Sequence, residues 1–156
     1  MNTFRKLDNK TYHFCSFDIA ERQFAVDLLD LREVSQDPKI TPIYHSSEAV
    51  RGYMNIRGQI HLVLDLRVIL GYPPIPTKND HCVIIFKNHI GDHFGILVDK
   101  INGVESVESS KIEEYQQGNL QQNSVASQSS SFFWATCKLE EKLMLVLESR
   151  CFLSAV

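Results

Sequence analysis

From Tyr12 to Leu147 the apolar residues fall into short runs separated by turn formers, and segments longer than one turn with a helical period are scarce. That property excludes helix bundles and doubly wound α/β folds, which need amphipathic helices of about ten residues or more. What remains is a mainly β chain of about nine or ten short strands, burying its apolar faces by stacking sheets or closing barrels.

Alternation and turn chemistry place the strands. Tyr12 to Ile19 is rich in aromatics, Ala20-Glu21-Arg22-Gln23 is a turn, and Phe24-Ala25-Val26-Asp27-Leu28 resumes the alternation. Leu28 to Val34 fits a strand or a helical turn equally. Pro38 and Pro42 make 35–45 a loop, and Ser46 to Val50 carries a hydroxyl cap for one helical turn. Tyr53 to Arg57 and Ile60 to Leu64 form a hairpin around Gly58-Gln59, with Ile60, Leu62 and Leu64 on one face. Asp65 is placed to cap a short helix, Leu66 to Leu70, which Gly71 ends.

Three prolines at 73, 74 and 76 stiffen the next connector, which reads as a boundary inside the fold. Cys82 to Phe86 is uniformly apolar, so both of its faces are buried. His93 to Val98 is its partner, and Ile101 to Val107 follows, bent at Gly103. Gln, Asn, Ser and Gly fill 13 of the 16 positions 116–131, which makes that stretch a polar surface loop. Phe132 to Cys137 and Lys142 to Leu147 close the chain as a hairpin, before a helical turn from Glu148 to Leu153. Residues 1–11 are a polar, flexible tail, and 12–153 form one domain.

A net charge of −3 without a basic run argues against nucleic acid and anionic membranes as partners. No apolar stretch nears the roughly 20 residues of a membrane helix, and no apolar core follows the charged N-terminus. The expected location is therefore the cytoplasm, with no membrane insertion. Cys15, Cys82, Cys137 and Cys151 are widely spaced and form no CxxC pair, so no disulfide framework is expected.

Catalytic motifs are missing. There is no GxxxxGK[ST] loop, no dinucleotide fingerprint and no GxSxG elbow. His89 and His93 have metal-ligand spacing only on a helix, and Gly91-Asp92 puts a turn between them, so they read as exposed loop histidines. Phe132-Phe133-Trp134 reads as core packing with one exposed ring.

One segment is more specific. Arg51-Gly52-Tyr53-Met54-Asn55-Ile56-Arg57-Gly58, followed by the strand to Leu64 and then Asp65-Leu66-Arg67, resembles the signature of the CheW-like domain family. Arg32-Glu33-Val34, Gly95-Ile96-Leu97-Val98-Asp99 and Lys142 to Leu147 match further family elements in order. The likeness spans about 13–153.

The resemblance implies two small five-stranded SH3-like β-barrels, packed together on a shared apolar interface, with short helical turns. It implies a non-catalytic adaptor without a cofactor, monomeric when isolated. That adaptor bridges the cytoplasmic helical hairpin of chemoreceptors and the regulatory domain of a CheA-type histidine kinase. Leu31, Glu33, Val34, Gly52 and Arg57 would line the receptor groove, with Arg57 paired to Glu33. Asn55, Gly58 and Asp65 would also belong to the partner-binding surface, and Gly95, Val98 and Asp99 would face the kinase. Leu62 stands where the family usually has proline, and Ser47 replaces another. These departures fit a divergent scaffold of a second pathway, such as twitching motility. A small metal-binding barrel is the remaining alternative.

Overall fold

The computed structural model describes residues 10–44, 46–114 and 132–156. Residues 1–9 of the expected tail and the polar loop at 116–131 lie outside the described residues; Thr11 already belongs to a strand.

Eleven strands are present among the described residues: β1 (Thr11–Ile19), β2 (Arg22–Asp27), β3 (Leu31–Gln36), β4 (Val50–Ile56), β5 (Gln59–Asp65), β6 (Cys82–Phe86), β7 (Phe94–Val98), β8 (Lys100–Glu108), β9 (Ile112–Glu114), β10 (Phe133–Leu139) and β11 (Lys142–Leu147). They form a six-stranded sheet ordered β8-β1-β2-β11-β10-β9 and a five-stranded sheet ordered β3-β6-β7-β5-β4. The expectation of five strands each is met in one sheet and exceeded in the other by the three-residue β9.

The five-stranded sheet is inserted within the other. The chain leaves the six-stranded sheet after β2 through a 3-10 turn, Leu28–Asp30, and returns at Asp99 between β7 and β8. The segment that fitted both strand and helical turn contains both in succession. The proline-rich connector is not a boundary between subdomains, because β5 before it and β6 after it share one sheet. Its prolines carry the chain across that sheet without offering donors to an edge.

Residue alternation builds three cores. Tyr12, Phe14, Ala25, Trp134, Cys137, Met144 and Val146 fill the interior of the six-stranded unit. Met54, Val63, Val83, Ile85 and Leu97 fill that of the five-stranded unit. The alternate residues, including Phe17, Phe24, Val26, Leu64, Ile84, Phe86, Phe94, Ile96, Leu145 and Leu147, meet between the sheets. Cys82 to Phe86 is therefore apolar throughout because one face serves a barrel interior and the other the interface. Phe133 and Trp134 divide the same way, and both are buried, so the expected exposed ring is absent: Phe132 is half-buried and stacks on Phe152 at 6.3 Å.

The five-stranded sheet also curls onto itself. Thr41, downstream of β3, exchanges two 2.8 Å backbone hydrogen bonds with Tyr53 of β4. Since β3 and β4 are opposite edges, this bridge closes the gap between them.

Candidate partner-binding site

The β4–β5 hairpin carries most of the motif. Arg57 and Gly58 both have positive φ, 50° and 84°, between the paired residues Ile56 and Gln59. The turn is thus Arg57-Gly58, one residue earlier than the Gly58-Gln59 read from sequence, and two left-handed residues match the twist of a two-residue hairpin. Asn55 locks it: its Oδ1 accepts the Gly58 N–H at 2.9 Å. The Asn-Ile-Arg-Gly order is thereby a turn-building unit.

Arg57, held in that turn, donates to Glu33 Oε1 of β3 at 2.5 Å. Its side chain is 66% exposed and that of Glu33 30%, so the pair itself is worth only ~0–1 kcal/mol. Asn55 pairs with Ile60, and Tyr53 with Leu62, so these side chains share the hairpin's outward face, opposite Met54 and Val63 in the barrel interior. Tyr53 and Ile60 are 45% and 55% exposed. Leu31 and Val34 of β3 are half-buried against the core between the sheets. Tyr53 and Ile60 were not singled out from sequence; the signal was their alternation with inward residues, masked because both faces of the hairpin are apolar.

Four expected contact residues are buried and offer no side chain to a partner: Gly52, Asp65, Gly95 and Val98. A Cβ on Gly52 would lie 2.1 Å from the Thr41 carbonyl oxygen, and one on Gly95 2.5 Å from that of Ile84. Asp65 caps the helix α1 (Leu66–Ile69), accepting the Arg67 N–H at 3.1 Å, and pairs with Arg51 at 3.1 Å. Arg51 also donates to the Ile75 carbonyl and to Thr77 Oγ1, clamping the proline-rich connector. Asp99 is half-buried at the crossover between the sheets. It accepts from the Ala20 N–H at 2.9 Å and forms an ion pair with Arg67. These residues shape the surface from below.

The four cysteines are free; Cys15, Cys82 and Cys137 are buried and Cys151 is half-buried. Burial, aided by neighbouring Cys82, pushes the Cys15 thiol up to about 11, and burial does the same to Cys137. At pH 8 a thiol reagent should label Cys151 first and reach the other three only on unfolding. Because both folded pKa values lie above the ordinary 9.0, this contribution to stability is full below pH 9 and lost as pH rises through about 11. Urea midpoints at pH 8 and at about pH 10.5 check the sign: the latter is lower, and part of the difference disappears in Cys15→Ala.

Among the described residues no three His, Cys, Asp or Glu side chains gather as a metal cluster. His89 is exposed, 3.7 Å from Asp30, as a loop histidine should be. His93 is not: it turns inward against His61.

Comparison with known proteins agrees with this architecture. The model of the CheW-like domain matches residues 13–155. The chain is 27% identical over 112 residues to the chemotaxis protein CheW of Klebsiella aerogenes, covering 70% of this chain and 67% of that protein. It is 29% identical over 104 residues to the CheW of Thermotoga maritima, covering 67% and 68%. The crystal structure of the scaffolding protein TtCheW from Thermoanaerobacter tengcongensis superposes with a TM-score of 0.76 at 24% identity, covering 92% of each chain. The chain belongs to the CheW-like domain family. Proteins of that family are non-catalytic. No helix among the described residues is long and apolar enough to cross a membrane.

Proposed function

We propose that this chain is a cytoplasmic adaptor of a chemosensory array, coupling the helical hairpin at a chemoreceptor's signalling tip to the regulatory domain of a CheA-type histidine kinase. The observation that carries the reading is the exposed Arg57–Glu33 pair beside Tyr53, Asn55 and Ile60, at the mouth between β3 and the β4–β5 hairpin. A guanidinium fork next to two exposed apolar side chains has the makings of an anchor for an amphipathic helix. The isolated adaptor is monomeric in this reading and uses no cofactor. Leu31 and Val34 support the groove floor, and Asp99 contributes to kinase contact by fixing the crossover.

The test is capture of a receptor signalling-tip fragment and of the kinase regulatory domain by the purified chain. Arg57→Glu should weaken receptor capture about tenfold or more, with the fold intact by circular dichroism. Full-strength capture by the folded variant would remove Arg57 from the interface. The 26% identity over 89 residues to Protein PilI of Pseudomonas aeruginosa gives weaker support to service in a different array. In that case only that array's kinase domain would be captured.

A further inference from the structure

Two imidazoles meet at one end of the five-stranded barrel. Leu62 lies beside Phe94 in the parallel β5–β7 ladder, so the preceding residues, His61 and His93, stand side by side. Their ring centroids are 5.2 Å apart and their planes are at 83°. His61 is 1% exposed, and Met54, itself buried, lies directly across from it on β4. Nδ1 of His61 contacts the Gln59 carbonyl oxygen at 3.1 Å. A carbonyl only accepts, so in the neutral ring the proton sits on Nδ1 and Nε2 presents a lone pair. That Nε2 and the Nδ1 of His93 are both buried and have no hydrogen-bond partner. Buried nitrogens of this kind are few in native proteins, and a bound ion is one way to satisfy them.

We propose that His61 Nε2 and His93 Nδ1, with the Met54 thioether, form a binding site for a soft monovalent cation, Cu(I). Two imidazole nitrogens held about 2.0–2.1 Å from one ion at a tetrahedral angle place their ring centroids about 5 Å apart. A second ring N–H fixed on a backbone carbonyl is the outer-shell arrangement that orients metal-binding histidines. Charge selects the ion. All three donors are neutral ligands and, among the described residues, no carboxylate joins the two histidines in a cluster, so a dication would be buried uncompensated, whereas a monovalent ion brings half that charge. Imidazole with thioether is also a donor set suited to Cu(I).

The test is Cu(I) titration of the folded chain under reducing, anaerobic conditions against a colorimetric Cu(I) chelator, in a Cys151→Ser background that removes the most accessible thiol. One equivalent should bind and shift the His61 Nε2 resonance in nitrogen NMR. His93→Asn suits the left-handed φ of 49° at that position, and should weaken binding by at least about tenfold. His89→Asn should leave it unchanged. Met54→Leu conserves volume and should also weaken it, so the proposal stays testable if His93→Asn fails to fold. No stoichiometric uptake, equal uptake by folded His93→Asn, or tighter binding of Zn²⁺ than of Cu(I) would overturn the assignment.

Discussion

Gly52→Ala is expected to cost about 3 kcal/mol or more of folding stability, enough to unfold much of the population in a marginal domain. The added Cβ would sit 2.1 Å from the Thr41 oxygen and 2.9 Å from Ile40 Cγ2, at a φ of +152° that L side chains rarely adopt. The first of these contacts is backbone, so no side chain can swing away. Relief requires parting Thr41 from Tyr53, which breaks the bridge that closes the five-stranded barrel. Gly58→Asn provides the contrast within the same motif. Nothing lies within 4 Å of a Cβ there, and φ is +84°, which asparagine tolerates, so a loss of ~1 kcal/mol or less is expected. Urea unfolding of the two variants checks both figures. A Gly52→Ala protein as stable as the parent would show that the Thr41 crossing is not needed.

The second large effect belongs to Asp99. Asp99→Ala should destabilise the chain by about 2 kcal/mol, between the cost of breaking an exposed ion pair and that of breaking a buried one. Arg67, whose side chain is only 14% exposed, would keep its charge without its carboxylate partner. The Ala20 N–H would lose its acceptor as well. Removing both partners in Asp99→Ala/Arg67→Met should recover much of the loss, since an apolar pair carries no desolvation penalty. A double-mutant cycle by urea unfolding measures the coupling. Additive losses would mean that the two groups act independently.

The elements were legible in the sequence wherever a strand has one pattern and a turn has its own chemistry. The hairpins of β1–β2 and β10–β11 and the Asp65-capped helix are found where alternation and turn residues put them, and the turn of β4–β5 lies one residue away. The nesting of one sheet inside the other was not legible. The chain crosses between sheets at Leu28–Asp30 and at Asp99, where no proline or glycine marks the change, while the conspicuous prolines lie within a single sheet. The Arg57–Glu33 pair came from the family resemblance, and its geometry from a turn set one residue earlier than the alternation implied. His61 went unnoticed because a lone polar residue on an apolar strand gives no sign of the parallel neighbour that brings His93 to it. Gly52, Asp65, Gly95 and Val98 are buried, and a sequence signature does not separate packing from contact.

The insertion of one sheet into the other also sets an order of assembly during synthesis. All five strands of the inner sheet lie between Leu31 and Val98, and their pairings form within that stretch. The outer sheet must wait, because β2 pairs with β11, with Leu145 opposite Phe24. Closing that contact spans nearly the whole described chain and carries a correspondingly large loop entropy. A growing polypeptide would therefore complete the inner barrel early. The β1–β2 hairpin would remain without its last neighbour until the final hairpin emerges, its inner-facing Phe14 and Ala25 uncovered in the meantime.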